Sequence, residues 1–298
     1  MASTVDAQER HVSRRLRQLL AGAISGAVTK TAIAPLERVK ILLQVQGMKG
    51  EQKYRGVMRT MMIVIREEGM LALYKGNGAN VARVIPNYAV KFSATDWLKE
   101  LVRQPGQSIK DLSFAQVMAS GTLAGLMQIF VSYPLDVIRT RLSLSSALLT
   151  GGIKYNGMLD CTRQMIRHEG WTSLYKGLWP TVWSGSPYVG LQMTCYHVFQ
   201  GYLPHGVVWN LTAGAASGLV AQTITYPGDT VRKRMQANGL GGLPKEYRSS
   251  WDCCQKIFAK EGAMGFFQGW RANAIRCIPG AAIQFAAYDA CKVLLKAE

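Results

Sequence analysis

The sequence predicts an all-α membrane protein: six transmembrane helices in three pseudo-symmetric repeats, each with a short amphipathic helix on one side. Three observations predict it. From Gly177 to Gly228 there is no Asp, Glu, Lys or Arg. The segment PLERVK at 35–40 returns as PLDVIR at 134–139 and as PGDTVR at 227–232. Around each copy the same landmarks recur at nearly fixed offsets.

The uncharged run is broken at Leu203-Pro204-His205-Gly206. Each side is long enough to cross hydrocarbon as a helix of about 20 residues. Leu112 to Leu135 is a third uncharged stretch. With 298 residues, 48% hydrophobic and 18% charged, bulk composition fits a soluble enzyme equally well. The distribution decides, because a soluble three-unit helical solenoid leaves so much neutral chain unexplained.

Each repeat reads as a long helix, a short amphipathic helix and a second long helix, with boundaries at 16–105, 106–204 and 205–298 after an extension at 1–15. Gly22/Gly26, Gly121/Gly125 and Gly214/Gly218 form GxxxG in the first long helices, a spacing that lets helix backbones approach in lipid. Pro35, Pro134 and Pro227 follow; each removes a backbone hydrogen bond and is expected to kink or end its helix. Val57, Met58, Met61, Met62 and Ile65 form the apolar face expected of the first short helix. Glu68-Gly69, Glu169-Gly170 and Glu261-Gly262 follow Pro35, Pro134 and Pro227 at nearly one offset, and Pro86, Pro187 and Pro279 follow each Glu-Gly at another.

Acid and base three residues apart lie on one helix face. Three such faces can pair between helices as Glu37 with Arg139, Asp136 with Arg232 and Asp229 with Lys40. Local pairing within one helix is the alternative, worth about 0.3–0.5 kcal/mol. Three copies favour a ring, because a ring can open and close as a gate.

The net charge of +17 invites a nucleic-acid reading. No zinc-ligand spacing, RNP-like strand or base-reading basic helix accompanies it. Basic residues gather instead in one segment between spans: Arg141, Lys154, Arg163, Arg167 and Lys176 lie in 140–177, and none lies in 201–211. That asymmetry orients membrane helices. The six cysteines show neither a metal pattern nor a disulfide framework. The four histidines have no nucleophile–acid arrangement around them, so neither an enzyme, a metal nor a cofactor is expected. The N-terminal stretch has no signal-peptide core, and Asp6 and Glu9 fit a cleaved transit peptide poorly.

Pro-x-acid-x-x-base, then acid-Gly, then aromatic-x-Gly in YKG (74–76), YKG (175–177) and FQG (267–269) resembles the mitochondrial carrier family over nearly the whole chain. The resemblance implies short helices on the matrix side, both termini toward the intermembrane space, and solute exchange across the inner membrane. It also makes the ring a matrix-side gate, braced by Gln44 and Gln236, with Ser143 at the second brace position. Within the family, "TAIAPLERVKILLQVQ" and "GNGANVARVIPNYAVKFSATD" look most like carriers of adenine nucleotides and coenzyme A, and "PYVGLQMTCY" resembles thiamine pyrophosphate carriers. All these substrates are phosphorylated.

The resemblance implies substrate contacts at Lys30, Arg83 and Arg276, with Ser184-Gly185 at the fourth-helix contact position. An ionisable side chain within a span is costly and marks a wet cavity, and Arg83, Lys91 and Arg276 interrupt otherwise neutral helices. Arginine grips phosphate bidentately and lysine acts as a point charge. Asn87 and Tyr188 stand where a base or ribose could be met. A cytoplasmic gate is expected from Asp96 and Lys99, His197 and Gln200, Asp289 and Lys292. Only Asp289 with Lys99 forms a full pair there, so the resting protein is expected to be open to the cytoplasm with its matrix gate closed. Expected partners are a phosphorylated small solute and anionic, cardiolipin-type lipids, with no nucleic acid, acting as a monomer or within a larger membrane complex. A thiamine pyrophosphate carrier, or a carrier-fold structural subunit of a membrane assembly that does not transport, is the alternative.

Overall fold

The computed structural model describes residues 2–49, 53–103, 113–148, 155–202, 204, 206–240 and 245–294. Among them are ten α-helices and no strand: α1 (Ala2–Val45), α2 (Val57–Glu68), α3 (Asn77–Ala82), α4 (Val84–Val102), α5 (Phe114–Leu148), α6 (Met158–Glu169), α7 (Leu178–Tyr202), α8 (Val207–Ala237), α9 (Ser250–Glu261) and α10 (Trp270–Leu294). Long, short, long repeats three times. The first repeat differs in breaking its second long helix at Arg83. Bonds from Arg83 N to Ala79 O and from Asn87 N to Arg83 O, both 3.1 Å, carry the helical register across the break.

Pro35, Pro134 and Pro227 do not end their helices; α1, α5 and α8 run on to Val45, Leu148 and Ala237. A proline removes one backbone bond, and the buried face beyond each one outweighs that loss. Among the described residues one segment, Gln116–Ser145, is long and apolar enough by composition to cross a membrane. The other long helices carry charged residues, or in α7 Trp, Ser, Gly and Gln, which lower any hydropathy average.

Two compact units divide the chain: Met1–Ala32, Ala79–Asp136 and Ala281–Glu298 form one, and Ile33–Gly78 with Val137–Gly280 form the other. In the first, Ala94 and Leu98 of α4 pack on Ala124 of α5. A Cβ on Gly26 would lie 3.2 Å from Val84 Cγ1, so α1 and α4 meet closely there. The GxxxG expectation holds at that glycine; Gly22, Gly121 and Gly125 face open space.

The second unit's core joins Val39, Leu42 and Val45 of α1, Val64 of α2 and Leu144 of α5. Val231 and Met235 of α8 pack with Cys253 and Ile257 of α9. This packing divides the apolar face expected of α2. Val57, Met61 and Ile65 pack on the core, but Met58 and Met62 are exposed, and Thr60 and Val64 are the buried pair. Positions 60 and 64 are one turn apart, so the inward stripe lies along one edge of that apolar face. Gly69, Gly170 and Gly262 follow the short helices at φ of 87°, 80° and 69°, which only glycine adopts without strain. Burial pushes the Cys161 and Cys253 thiols up to about 12, leaving both inert at neutral pH.

Candidate functional site

In the second unit two of the expected interhelical pairs are present. Arg139 of α5 pairs with Glu37 Oε2 of α1. Lys40 donates to Asp229 Oδ2 of α8 at 2.6 Å, and its ammonium lies 5.4 Å from the centre of the Tyr226 ring. Gln44 Nε2 also donates to Asp229 Oδ2, at 3.3 Å. Gln236, the other expected brace, accepts from Thr140 Oγ1 at 2.7 Å and from Lys233 Nζ at 2.9 Å. Ser143 donates to the carbonyls of Lys75 and Arg139.

Both arginines expected to contact substrate sit on acids expected in the matrix-side ring. Arg276 of α10 donates from Nη1 to Glu37 Oε1 at 3.1 Å, so Glu37 holds one arginine on each oxygen. Its Nη2 donates to Asn273 Oδ1 at 3.1 Å, and Asn273 also accepts from Gln222 of α8 at 3.5 Å. In the first unit Arg83 donates from Nη1 to Asp136 Oδ1 at 3.0 Å. Opposite charges at such distances, with side chains 4–20% exposed, attract more strongly than surface pairs do. Arg232 is half-buried.

Lys30 and Asn87 are half-buried and Lys91 is exposed. Ser184 Oγ donates to Pro180 O at 2.7 Å. A Cβ on Gly228 would come 2.6 Å from Ser184 Cβ, so α7 and α8 touch at this level. Gly185 has nothing within 4 Å of a built Cβ, and Tyr188 is half-buried one turn on.

The cytoplasmic gate is expected from six residues. Among the described residues Asp96, Lys99, Asp289 and Lys292 make no ion pair. Lys292 instead lies 4.9 Å from the ring of Tyr288. Gln200 donates to Tyr196 OH at 2.9 Å and to Asn210 Oδ1 at 3.3 Å, and His197 sets its ring edge-on to Tyr196.

Sequence reasoning missed three buried arginines. Arg38, Arg141 and Arg234 each grip the Glu of a Glu-Gly: Glu68 at 2.7 Å, Glu169 at 2.8 Å and Glu261 at 2.8 Å. Each also donates from Nε to a carbonyl on the next repeat's first long helix: Arg38 to Ser143, Arg141 to Gln236 and Arg234 to Gln44. Lys75, Lys176 and Gln268 complete the three joints from the aromatic-x-Gly side. Burial opposes it, yet hydrogen bonds from Arg141 and Lys176 hold the Glu169 carboxyl below its ordinary range. The signal was present at Arg141 and Arg234, each seven residues after its proline. Repeat one breaks it, having Leu42 there and Arg38 one turn earlier.

Three helical repeats, two acid–base pairs between their first helices, and arginines seated on Glu37 and Asp136 are the arrangement expected of a helical solute carrier. The family pattern described as "Mitochondrial carrier protein" matches residues 13–106, 110–207 and 204–298. The chain belongs to the mitochondrial carrier family. It is 33% identical to the mitochondrial carrier protein CoAc2 of Zea mays, over 94% of this chain and 87% of that one. It is 35% identical to the mitochondrial adenine nucleotide transporter ADNT1 of Arabidopsis thaliana, over 95% of this chain and 88% of that one. It is 34% identical to the mouse mitochondrial adenyl nucleotide antiporter SLC25A24, over 94% of this chain but 58% of that longer protein.

Proposed function

We propose that the protein exchanges phosphorylated, adenine-containing solutes, adenine nucleotides or coenzyme A, across the mitochondrial inner membrane by alternating access. It spans the membrane with six helices, three repeats deep, with both termini toward the intermembrane space and anionic lipids around it. Relatives named for a coenzyme A carrier and for adenine nucleotide transporters support the substrate class.

One observation carries the mechanism: Arg276 and Arg83 are bonded to Glu37 and Asp136, acids of the matrix gate. Phosphate oxygens compete with those carboxylates for the guanidinium groups. Each charge-assisted bond is worth about 1.5–3 kcal/mol, so a phosphate that takes an arginine loosens the gate. Lys30 and Lys91 add positive charge, while Ser184, Gly185, Asn87 and Tyr188 meet the uncharged part of the solute. Solute bound more tightly in the opening state shifts the balance toward it.

The test is counter-exchange in liposomes. Purified protein with internal ADP should take up labelled ADP, ATP, AMP or coenzyme A, and Arg83→Ala and Arg276→Ala should each abolish uptake while the protein stays folded. Wild-type protein that exchanges none of these, or only thiamine pyrophosphate, would remove the adenine reading.

A further inference from the structure

We infer that Asn87 reads the 6-amino edge of an adenine ring and sets the preference among purines; this rests on the nucleotide reading above. Asn87 stands four residues after Arg83, and the 3.1 Å bond from Asn87 N to Arg83 O makes the intervening turn helical. The two side chains therefore share a face, about 6 Å apart along the axis. That offset is of the order of the ribose between a nucleotide's 5′-phosphate and its base. A phosphate on Arg83 thus brings a base to the level of Asn87.

Asn87 Oδ1 is buried, and among the described residues it accepts no hydrogen bond. A buried amide oxygen without a donor is costly, and such atoms in a folded protein call for a missing partner. Arg83 Nε, one turn before it, is not its donor, because Asn87 Oδ1 accepts no hydrogen bond among the described residues. Pro86 has no N–H, Val84 and Ile85 are apolar, and Lys91, one turn further, is exposed. The missing donor belongs to the solute.

Adenine supplies it in a distinctive way. Its 6-amino donor lies beside the N7 acceptor, and one asparagine amide satisfies both, accepting at Oδ1 and donating from Nδ2. Hypoxanthine and guanine present two acceptors along that edge, which one amide cannot match. At the same register, four residues after Ser184 and Arg276, stand Tyr188 and Gly280. Neither carries an amide, so the edge reader is found only in the first repeat.

The test uses the full chain in liposomes, with unlabelled nucleotides competing against labelled ADP uptake. Wild type should favour ADP over inosine diphosphate, which differs by the missing amino group, by about tenfold or more. Asn87→Leu should lower ADP affinity about tenfold and bring the ratio toward one, and Asn87→Ser should do the same if the leucine variant fails to fold. 2′-Deoxy-ADP should compete as well as ADP. A ratio unchanged by either substitution overturns the assignment. So does a deoxy-ADP loss as large as that of inosine diphosphate, which would place a ribose hydroxyl on Asn87. Exchange of ADP with no purine preference overturns this inference alone, whereas no adenine-nucleotide exchange at all overturns the proposed function with it.

Discussion

Arg276 donates to Glu37 at 3.1 Å while Arg139 holds the other oxygen of the same carboxylate. One acid thus joins the proposed gate to the candidate site. Arg139 comes from α5 and Glu37 from α1, so the pair is interhelical and its charges can be exchanged. Glu37→Arg should cripple exchange, and adding Arg139→Glu should restore part of it. A double variant no better than the single in liposome uptake would mean the pair does not work as a gate.

The Glu-Gly joints should govern stability more than transport. Arg141 is fully buried against Glu169. Arg141→Leu leaves that carboxylate buried with less charge compensation and should cost about 3–5 kcal/mol. Adding Glu169→Leu should recover much of it. Thermal unfolding in detergent reads both; a double variant less stable than the single would contradict the joint.

The same joint carries a pH dependence. Glu169 has its carboxyl pKa depressed in the folded protein. Its stabilisation is therefore complete above the unfolded value of about 4.3 and is lost as pH falls through the lower folded value. Glu169→Gln should be less stable than wild type at neutral pH, with the difference shrinking below about pH 4.3. A difference that stays constant down to low pH would refute the assignment.

Two glycines should respond oppositely. Gly76 has φ of +85°, and a Cβ there would lie 2.8 Å from the Arg139 carbonyl. Gly76→Ala combines strain with a backbone clash and should cost about 1–3 kcal/mol. Gly185→Ala meets open space in an ordinary helix, where alanine is favoured by up to about 1 kcal/mol. Melting temperatures of the two variants decide it; equal shifts would be the wrong outcome.

Much of this was legible in the sequence because the repeat prints it three times. The proline, Glu-Gly and aromatic-x-Gly offsets gave the long-short-long order and the Glu37–Arg139 and Lys40–Asp229 pairs. The cytoplasmic side was legible as charges: Asp289 with Lys99 was the one full pair expected there, in a gate expected to rest open, and among the described residues neither makes an ion pair. Where repeats diverge, pattern failed. Arg38 stands one turn from the register of Arg141 and Arg234, so the threefold joint was invisible until the three glutamates were seen to share one geometry. The apolar face of α2 was legible, but not which edge of it meets the core, because methionines facing outward look the same in a helical pattern as methionines facing a core. That Arg83 and Arg276 rest on Asp136 and Glu37 depends on side-chain reach between distant helices, which no local spacing encodes.

The central claim is that Glu37 and a phosphorylated solute compete for Arg276. The most direct measurement is the dissociation constant of ADP for Glu37→Gln against wild type, from ADP-dependent thermal shifts in detergent. Neutralising Glu37 frees Arg276, so binding should tighten by about tenfold, and the gain should vanish in an Arg276→Ala background. Weaker or unchanged ADP binding by Glu37→Gln would contradict the competition.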